Sequence, residues 1–409
     1  MFRRRLLFVA ALLAPIACFA LDGCSDDDGG SSNADPDAAG RDVTKGPDGA
    51  TEDDAEAGPV PPPEVPTCLG TTLPLIQSGE RSYVKVAMGY GTRDPGDAGD
   101  AGDAGDAAVK LEGDFLIDYG ANASTIDLKA FDAPGPTPFN CAGDPSMPGA
   151  QCSFAPFDFF GLWGNVSLYT ADYSFLFNSV KQAGIIGTDF LAIHAFSFDY
   201  YGRRFLKATK ETLCGDAQLV TAGWVALPSG GFFANDTKKL RPLSEVITTP
   251  DAGVAKLSVP NVPTVPITIA GVRALAQLDT GYDDRIRRHS INVNQAFVDQ
   301  LLAVQPPKLL RNPSLDLYLT TCVVGLNQKA TGYQLETGTE IDFLGDGGTM
   351  VRRQIGGYVF VKEKLAEAER CGGIDTWTVP AAQMGASFLV DAQAVLFDPF
   401  SSRVWLPKR

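Results

Sequence analysis

The chain has 409 residues, 44% of them hydrophobic, with 43 Gly, 28 Pro and a formal net charge of −15. The length suggests two to three domains with a substantial core, and the Gly and Pro content suits short strands and turns rather than long helices. The acidity argues against nucleic acid as a partner, which needs clustered Lys and Arg. It is also local: positions 25–66 hold nine Asp and three Glu against Arg41 and Lys45, and 94–106 hold five more Asp. These are solvated segments rather than a binding face.

In chain order, Arg3-Arg4-Arg5 followed by the apolar stretch Leu6 to Ala17 reads as an export signal, too short to span a bilayer. Leu21-Asp22-Gly23-Cys24 resembles a bacterial lipobox. Cleavage after residue 23 with lipid on Cys24 is therefore expected; an ordinary secretory signal is the alternative, with Cys18 a weaker lipid position. The protein is expected to be exported, either as a cell-envelope lipoprotein facing the outer membrane or periplasm, or secreted. A lipid anchor would make the membrane a partner. Residues 24–66 are rich in Asp, Gly, Ala and Pro and poor in large apolar residues, so a disordered tether is expected.

The folded part is expected to divide into a lobe at 67–215 and a second at 216–409. In the first, Ser82 to Val86 alternates as a strand, Asp-Ala-Gly repeats fill an insert at 94–107, and Val109 to Ile117 returns as a strand into Asp118. This is one hairpin with a lengthened tip, a change that costs little closure entropy. The second lobe has the compact version: Thr264 to Ile269, a turn at Ala270-Gly271, and Val272 to Leu278 running into Asp279. Helical spacing is confined to Gln295–Val304 and a short stretch at Lys362–Arg370, so the class is all-β. Beyond Cys18 and Cys24 there are six cysteines, and an even number in an exported chain reads as disulfides. Of fifteen pairings, Cys68–Cys214, Cys141–Cys152 and Cys322–Cys371 are favoured. With no C-x-x-C pair and only His194 and His289, neither a metal site, a Ser-His-Asp triad nor a cofactor is expected.

One pattern occurs twice. Phe115-Leu116-Ile117-Asp118-Tyr119-Gly120 and Ala276-Gln277-Leu278-Asp279-Thr280-Gly281 are both apolar strands ending in an Asp-x-Gly turn. Downstream, Gly187-Thr188-Asp189-Phe190-Leu191 leads to Asp199 and Arg204, and Gly385-Ala386-Ser387-Phe388-Leu389 leads to Asp398 and Arg403. In both copies a turn ion pair is the expected role of the later Asp and Arg.

With these motifs the chain resembles the bilobal pepsin-like aspartic peptidases, with features of the single-lobed retropepsins. Leu278-Asp279-Thr280-Gly281 matches the family's Asp-Thr-Gly signature, Asp118-Tyr119-Gly120-Ala121-Asn122 matches it except at Thr, and Gly184 to Leu191 is similar to the apolar-Gly segment beneath the turn. The resemblance covers Tyr83 to Arg409. It implies two related β-barrel-like lobes with an active-site cleft between them, Asp118 and Asp279 as the catalytic pair, and Tyr119, Gly120, Thr280 and Gly281 as the supporting turns. It also implies a flap over the cleft, for which Phe160 and Trp163 are candidates. Two adjacent carboxyls hold one proton between them, so one can activate water while the other stabilises the oxyanion. Gly is needed where the turns approach closely, with positive φ as a second reason.

The implied function is a surface-tethered, monomeric aspartic endopeptidase acting on peptides or proteins. Tyr119 and Tyr282 stand where the family has small hydroxylated residues, and Asp283 and Asp284 add nearby charge. The alternative is therefore a catalytically inactive pepsin-like protein that binds a peptide or protein partner in the cleft; an unrelated β-sandwich surface protein is a third reading. On the peptidase reading, Tyr119→Thr is expected to raise activity.

Overall fold

The computed structural model describes residues 64–90, 109–131, 139–161, 166–174, 179–230, 232, 246–249, 253–256, 262–283, 287–320, 326–366 and 373–408. The export signal, Cys24, residues 24–63 of the tether, the insert at 94–107, Trp163, Asp284 and the Cys322–Cys371 pair lie outside them.

The described chain is mostly strand, and its two halves repeat one arrangement. In the first, Arg81–Tyr90 and Val109–Ile117 form the expected hairpin. The strand Gln182–Ile186 then inserts between Val109–Ile117, to which it runs parallel, and Thr125–Ile126, to which it runs antiparallel. In the second, Thr264–Ile269 and Val272–Leu278 form the hairpin. Its turn residues Ala270 and Gly271 sit at φ 49° and 79°, the double positive φ of a tight primed turn. The strand Ala381–Met384 again lies between a parallel neighbour, Val272–Leu278, and an antiparallel one, Ser290–Val293. Both faces of these inserted strands are covered, so Gln182–Ile186 and Ala381–Met384 are buried at every position and, Gln182 and Gln383 apart, apolar. The architecture is the expected all-β one, built from two related halves.

The sequence did not suggest a sheet shared by the two halves. Six strands lie in the order Thr71–Pro74, Arg204–Ala208, Ala195–Asp199, Ala394–Asp398, Arg403–Pro407 and Trp224–Pro228. Its centre pairs the two halves antiparallel, with Phe196 opposite Phe397 and Phe198 opposite Val395. Phe196, Phe198, Phe205 and Phe397 are fully buried there, in an apolar core that runs through both halves. Cys68–Cys214 and Cys141–Cys152 are disulfide-bonded, with Cα atoms 5.6 Å and 3.9 Å apart.

Two local expectations change. The helix begins as anticipated, with the Asn294 side chain accepting from the Phe297 amide, and spans Gln295–Leu302. Lys362, however, closes the strand Tyr358–Lys362 and residues 363–366 are not helical; pairing with neighbouring strands overrides a short helical pattern. Arg204 grips Asp199 with Nε at 2.8 Å and a second nitrogen at 2.6 Å, as expected. Arg403 instead bonds Asp216 and Asp346, while Asp398 accepts from the Phe400 and Ser401 amides.

Candidate active site

Both Asp turns are held by the strand that inserts beside them. The Asp118 amide donates to the Ile186 carbonyl and the Asp279 amide to the Met384 carbonyl, each at 3.0 Å. One turn further, Thr188 N donates to Ala121 O and Ala386 N to Tyr282 O, each at 2.9 Å. Asp118 Oδ1 accepts from the amides of Gly120 at 2.7 Å and Ala121 at 3.2 Å. Asp279 Oδ1 accepts from Gly281 at 2.8 Å and Tyr282 at 3.0 Å. In each turn the backbone thus fixes one carboxyl oxygen and leaves the other for different partners.

The turns face each other across the lobes. A Cβ at Gly120 would collide with the Asp279 carboxyl group, and one at Gly281 with that of Asp118. Neither glycine has positive φ, so close approach alone requires them and conformational freedom does not. The two carboxyls are therefore neighbours, each lying against the glycine that follows the other and close enough for their charges to interact. Burial first, and the adjacent Asp279 charge second, push Asp118 well above the ordinary carboxylate range.

Thr280 ties the lobes together. Its hydroxyl donates to the Ile117 carbonyl at 2.7 Å and accepts from the Tyr119 amide at 3.0 Å. Arg81 adds a second tie, its Nε donating to the Gly281 carbonyl at 3.0 Å. Thr280→Val keeps the shape and strands the buried Tyr119 amide, so it is expected to cost about 1–3 kcal/mol in denaturant unfolding. An unchanged unfolding midpoint would contradict the bridging role.

Tyr119 forms no counterpart to that bridge. Its ring is fully buried, stacked on Phe397 at a centroid distance of 3.7 Å and edge-on to Phe198 and Phe232. Its hydroxyl is buried without a hydrogen-bond partner. Tyr282 turns away from the carboxyls, with its hydroxyl 2.7 Å from Ser290 Oγ. Phe160 is half-buried, packing on Phe159, Phe196 and Phe205 at the edge of the core, under the Lys207 ammonium.

Ser124 and Asp189 brace the first turn from below. Ser124 Oγ accepts from the Gly187 amide at 2.9 Å and donates to Asp189 Oδ1 at 2.6 Å. Burial nonetheless pushes the Asp189 carboxyl up to about 6. A carboxyl that binds its proton more tightly in the folded state contributes stability below its unfolded value. That contribution is lost as pH rises through the folded value. Unfolding free energy is therefore expected to fall between about pH 4 and pH 6, and less so in Asp189→Asn. A wild-type profile flat across that window would contradict the assignment.

Sequence reasoning missed the donor to the second oxygen of Asp279. Gln383 Nε2 donates to Asp279 Oδ2 at 2.6 Å, while Gln383 Oε1 accepts from Lys362 Nζ at 3.0 Å and Asn292 Nδ2 at 3.2 Å. All four residues are buried. A signal was present: Gln383 interrupts the apolar run Ala381-Ala382-Gln383-Met384-Gly385, at the position where the first lobe has Ile185. Tyr173 was also missed. Its hydroxyl meets Thr125, and burial, with the Asp118 charge contributing, holds the phenol above its ordinary value.

The histidines lie elsewhere. His289 Nε2 is 2.6 Å from Asp391 Oδ2, and His194 packs edge-on to Phe196. Among the described residues no group of three or more His, Cys, Asp or Glu is placed to hold a metal, and no helix is long and apolar enough to cross a membrane.

No family model and no curated protein matches the chain. Among solved structures it is similar to the crystal structure of basic 7S globulin from soybean, at 10% identity and a TM-score of 0.36, over 82% of this chain and 94% of that one.

Proposed function

We infer that the protein is an aspartic-type endopeptidase in which Asp118 and Asp279 activate a water molecule. The observation that carries this is the contact of two buried carboxyls from opposite lobes, each with one oxygen fixed by its own turn. Two such groups share a single proton. The Gln383 amide that donates to Asp279 Oδ2 favours the ionised form of that carboxyl, so Asp118 is assigned the proton and Asp279 the role of base.

In the reaction, Asp279 takes a proton from water as the water oxygen bonds to the peptide carbonyl carbon. Asp118 donates its hydrogen bond to the carbonyl oxygen, which gathers negative charge. Collapse of the tetrahedral intermediate breaks the C–N bond, and the proton held by Asp279 passes to the leaving nitrogen. The substrate class is peptide or protein. Export with lipid on Cys24, or secretion, would place the reaction outside the cytoplasm, at the end of the acidic tether.

A second reading, a peptide-binding protein without turnover, is favoured by one observation: the hydroxyl bridge of Thr280 has no mirror image at Tyr119. The two are separated by incubating the purified protein with a mixed peptide library at acid pH. Cleavage suppressed by a statine-type inhibitor supports the peptidase. Saturable peptide binding with every peptide left intact overturns it.

A further inference from the structure

The two carboxyls are built from like turns but have different neighbours. On the first-lobe side, the strand beside Asp118 carries Ile185 at the place where the strand beside Asp279 carries Gln383. Gln383 is one step of a polar line crossing three adjacent strands. Lys362 ends the strand Tyr358–Lys362, Asn292 lies on the neighbouring Ser290–Val293, and Gln383 lies opposite Asn292 on Ala381–Met384. Beyond Gln383 is Asp279 Oδ2, at 2.6 Å. Lys362 is buried at the end of its strand, with its ammonium 3.0 Å from the Gln383 side-chain oxygen.

The chemistry of the line sets its direction. An amide can present either its oxygen or its nitrogen to a neighbour, but an ammonium has only donors. With Lys362 Nζ 3.0 Å away, Gln383 must turn its oxygen toward the lysine and its N–H toward Asp279. A donor held in that direction favours the ionised form of the carboxyl it meets. Ile185 offers nothing equivalent to Asp118.

We propose that Lys362 is a positioning residue that locks the Gln383 amide and thereby assigns Asp279 the unprotonated role and Asp118 the proton. The catalytic meaning of this assignment rests on the peptidase reading, but the assignment itself is a property of the resting protein. Other charged or titratable groups near Asp279 are Asp118 in contact with it, Arg81 on the Gly281 carbonyl, Tyr282 in its own turn and Asp283 just beyond. None of these donates to Gln383 Oε1, so the line is separable from them by mutation.

The test titrates the carboxyls directly, by NMR of protein labelled at the aspartate side-chain carboxyl, with no need for turnover. In Gln383→Met the lower of the two ionisation steps of the pair is expected to rise by about one pH unit, the usual effect of losing one hydrogen bond to a carboxylate. Lys362→Met is expected to move it in the same direction by less, because Asn292 still holds the amide. In the Gln383→Met background, Lys362→Met should then have little further effect. Both methionines are unbranched and of similar length, and unfolding curves report whether each variant is folded. A lower step that stays put in folded Gln383→Met overturns the proposal. So does an undiminished Lys362→Met shift in the double variant, which would mean that the lysine acts through space. A protein without any peptidase activity would refute the proposed function and leave this measurement intact.

Discussion

Asp118→Asn and Asp279→Asn are each expected to lower peptide cleavage by about 10⁴-fold, the upper range for loss of a positioned acid or base. The two act as a unit, so the double variant should be no slower than either single one. Loss of Asp279 removes the group that takes the water proton. Loss of Asp118 removes the proton that meets the oxyanion. Stability should move the other way. At neutral pH the folded wild type keeps two buried carboxyls in contact, a strain visible in the raised proton affinity of Asp118. An amide relieves that repulsion, so Asp118→Asn is expected to unfold at a higher temperature than wild type while being inactive. Turnover that survives in either variant would remove the mechanism, because the remaining carboxyl cannot hold both roles. Lost turnover together with lost folding would say nothing of catalysis, which is why the unfolding temperature belongs in the same experiment.

Tyr119→Thr is expected to destabilise the protein by about 3–5 kcal/mol, the range for emptying a large aromatic site in a core. The sequence suggested the opposite outcome, a gain of activity from restoring the family's hydroxyl. The packing explains the reversal. Tyr119 is fully buried between Phe397, Phe198 and Phe232, and thus joins the first Asp turn to the shared sheet. Threonine would open a cavity there before its hydroxyl could cross the lobes. Tyr119→Phe separates ring from hydroxyl. The phenol oxygen is buried without a partner, so removing it should leave stability unchanged or raise it by up to about 1 kcal/mol. Urea unfolding of both variants checks the pair of expectations. A destabilised Tyr119→Phe would mean that the hydroxyl is bonded after all, and a stable Tyr119→Thr would mean that the aromatic cluster relaxes to fill the space.

The two readings of the first turn show where sequence argument holds. The hairpins into Asp118 and Asp279 and the inserted strands follow from patterns local in the chain: alternation, a tight turn, a Gly beside an apolar run. The ion pair expected at Arg403 failed because spacing names a partner only when no better one arrives from elsewhere in the chain.

By itself the sequence determined that the chain is built twice from one strand-and-turn unit, because each unit's signals are carried within a few residues. Only the tertiary structure decided that the acidic turns touch, that Tyr119 is a core residue and that Lys362 reaches Asp279 through Gln383. The first two of these contacts join residues about 160 or more positions apart. They depend on how strands pair and lobes close, which no local pattern specifies.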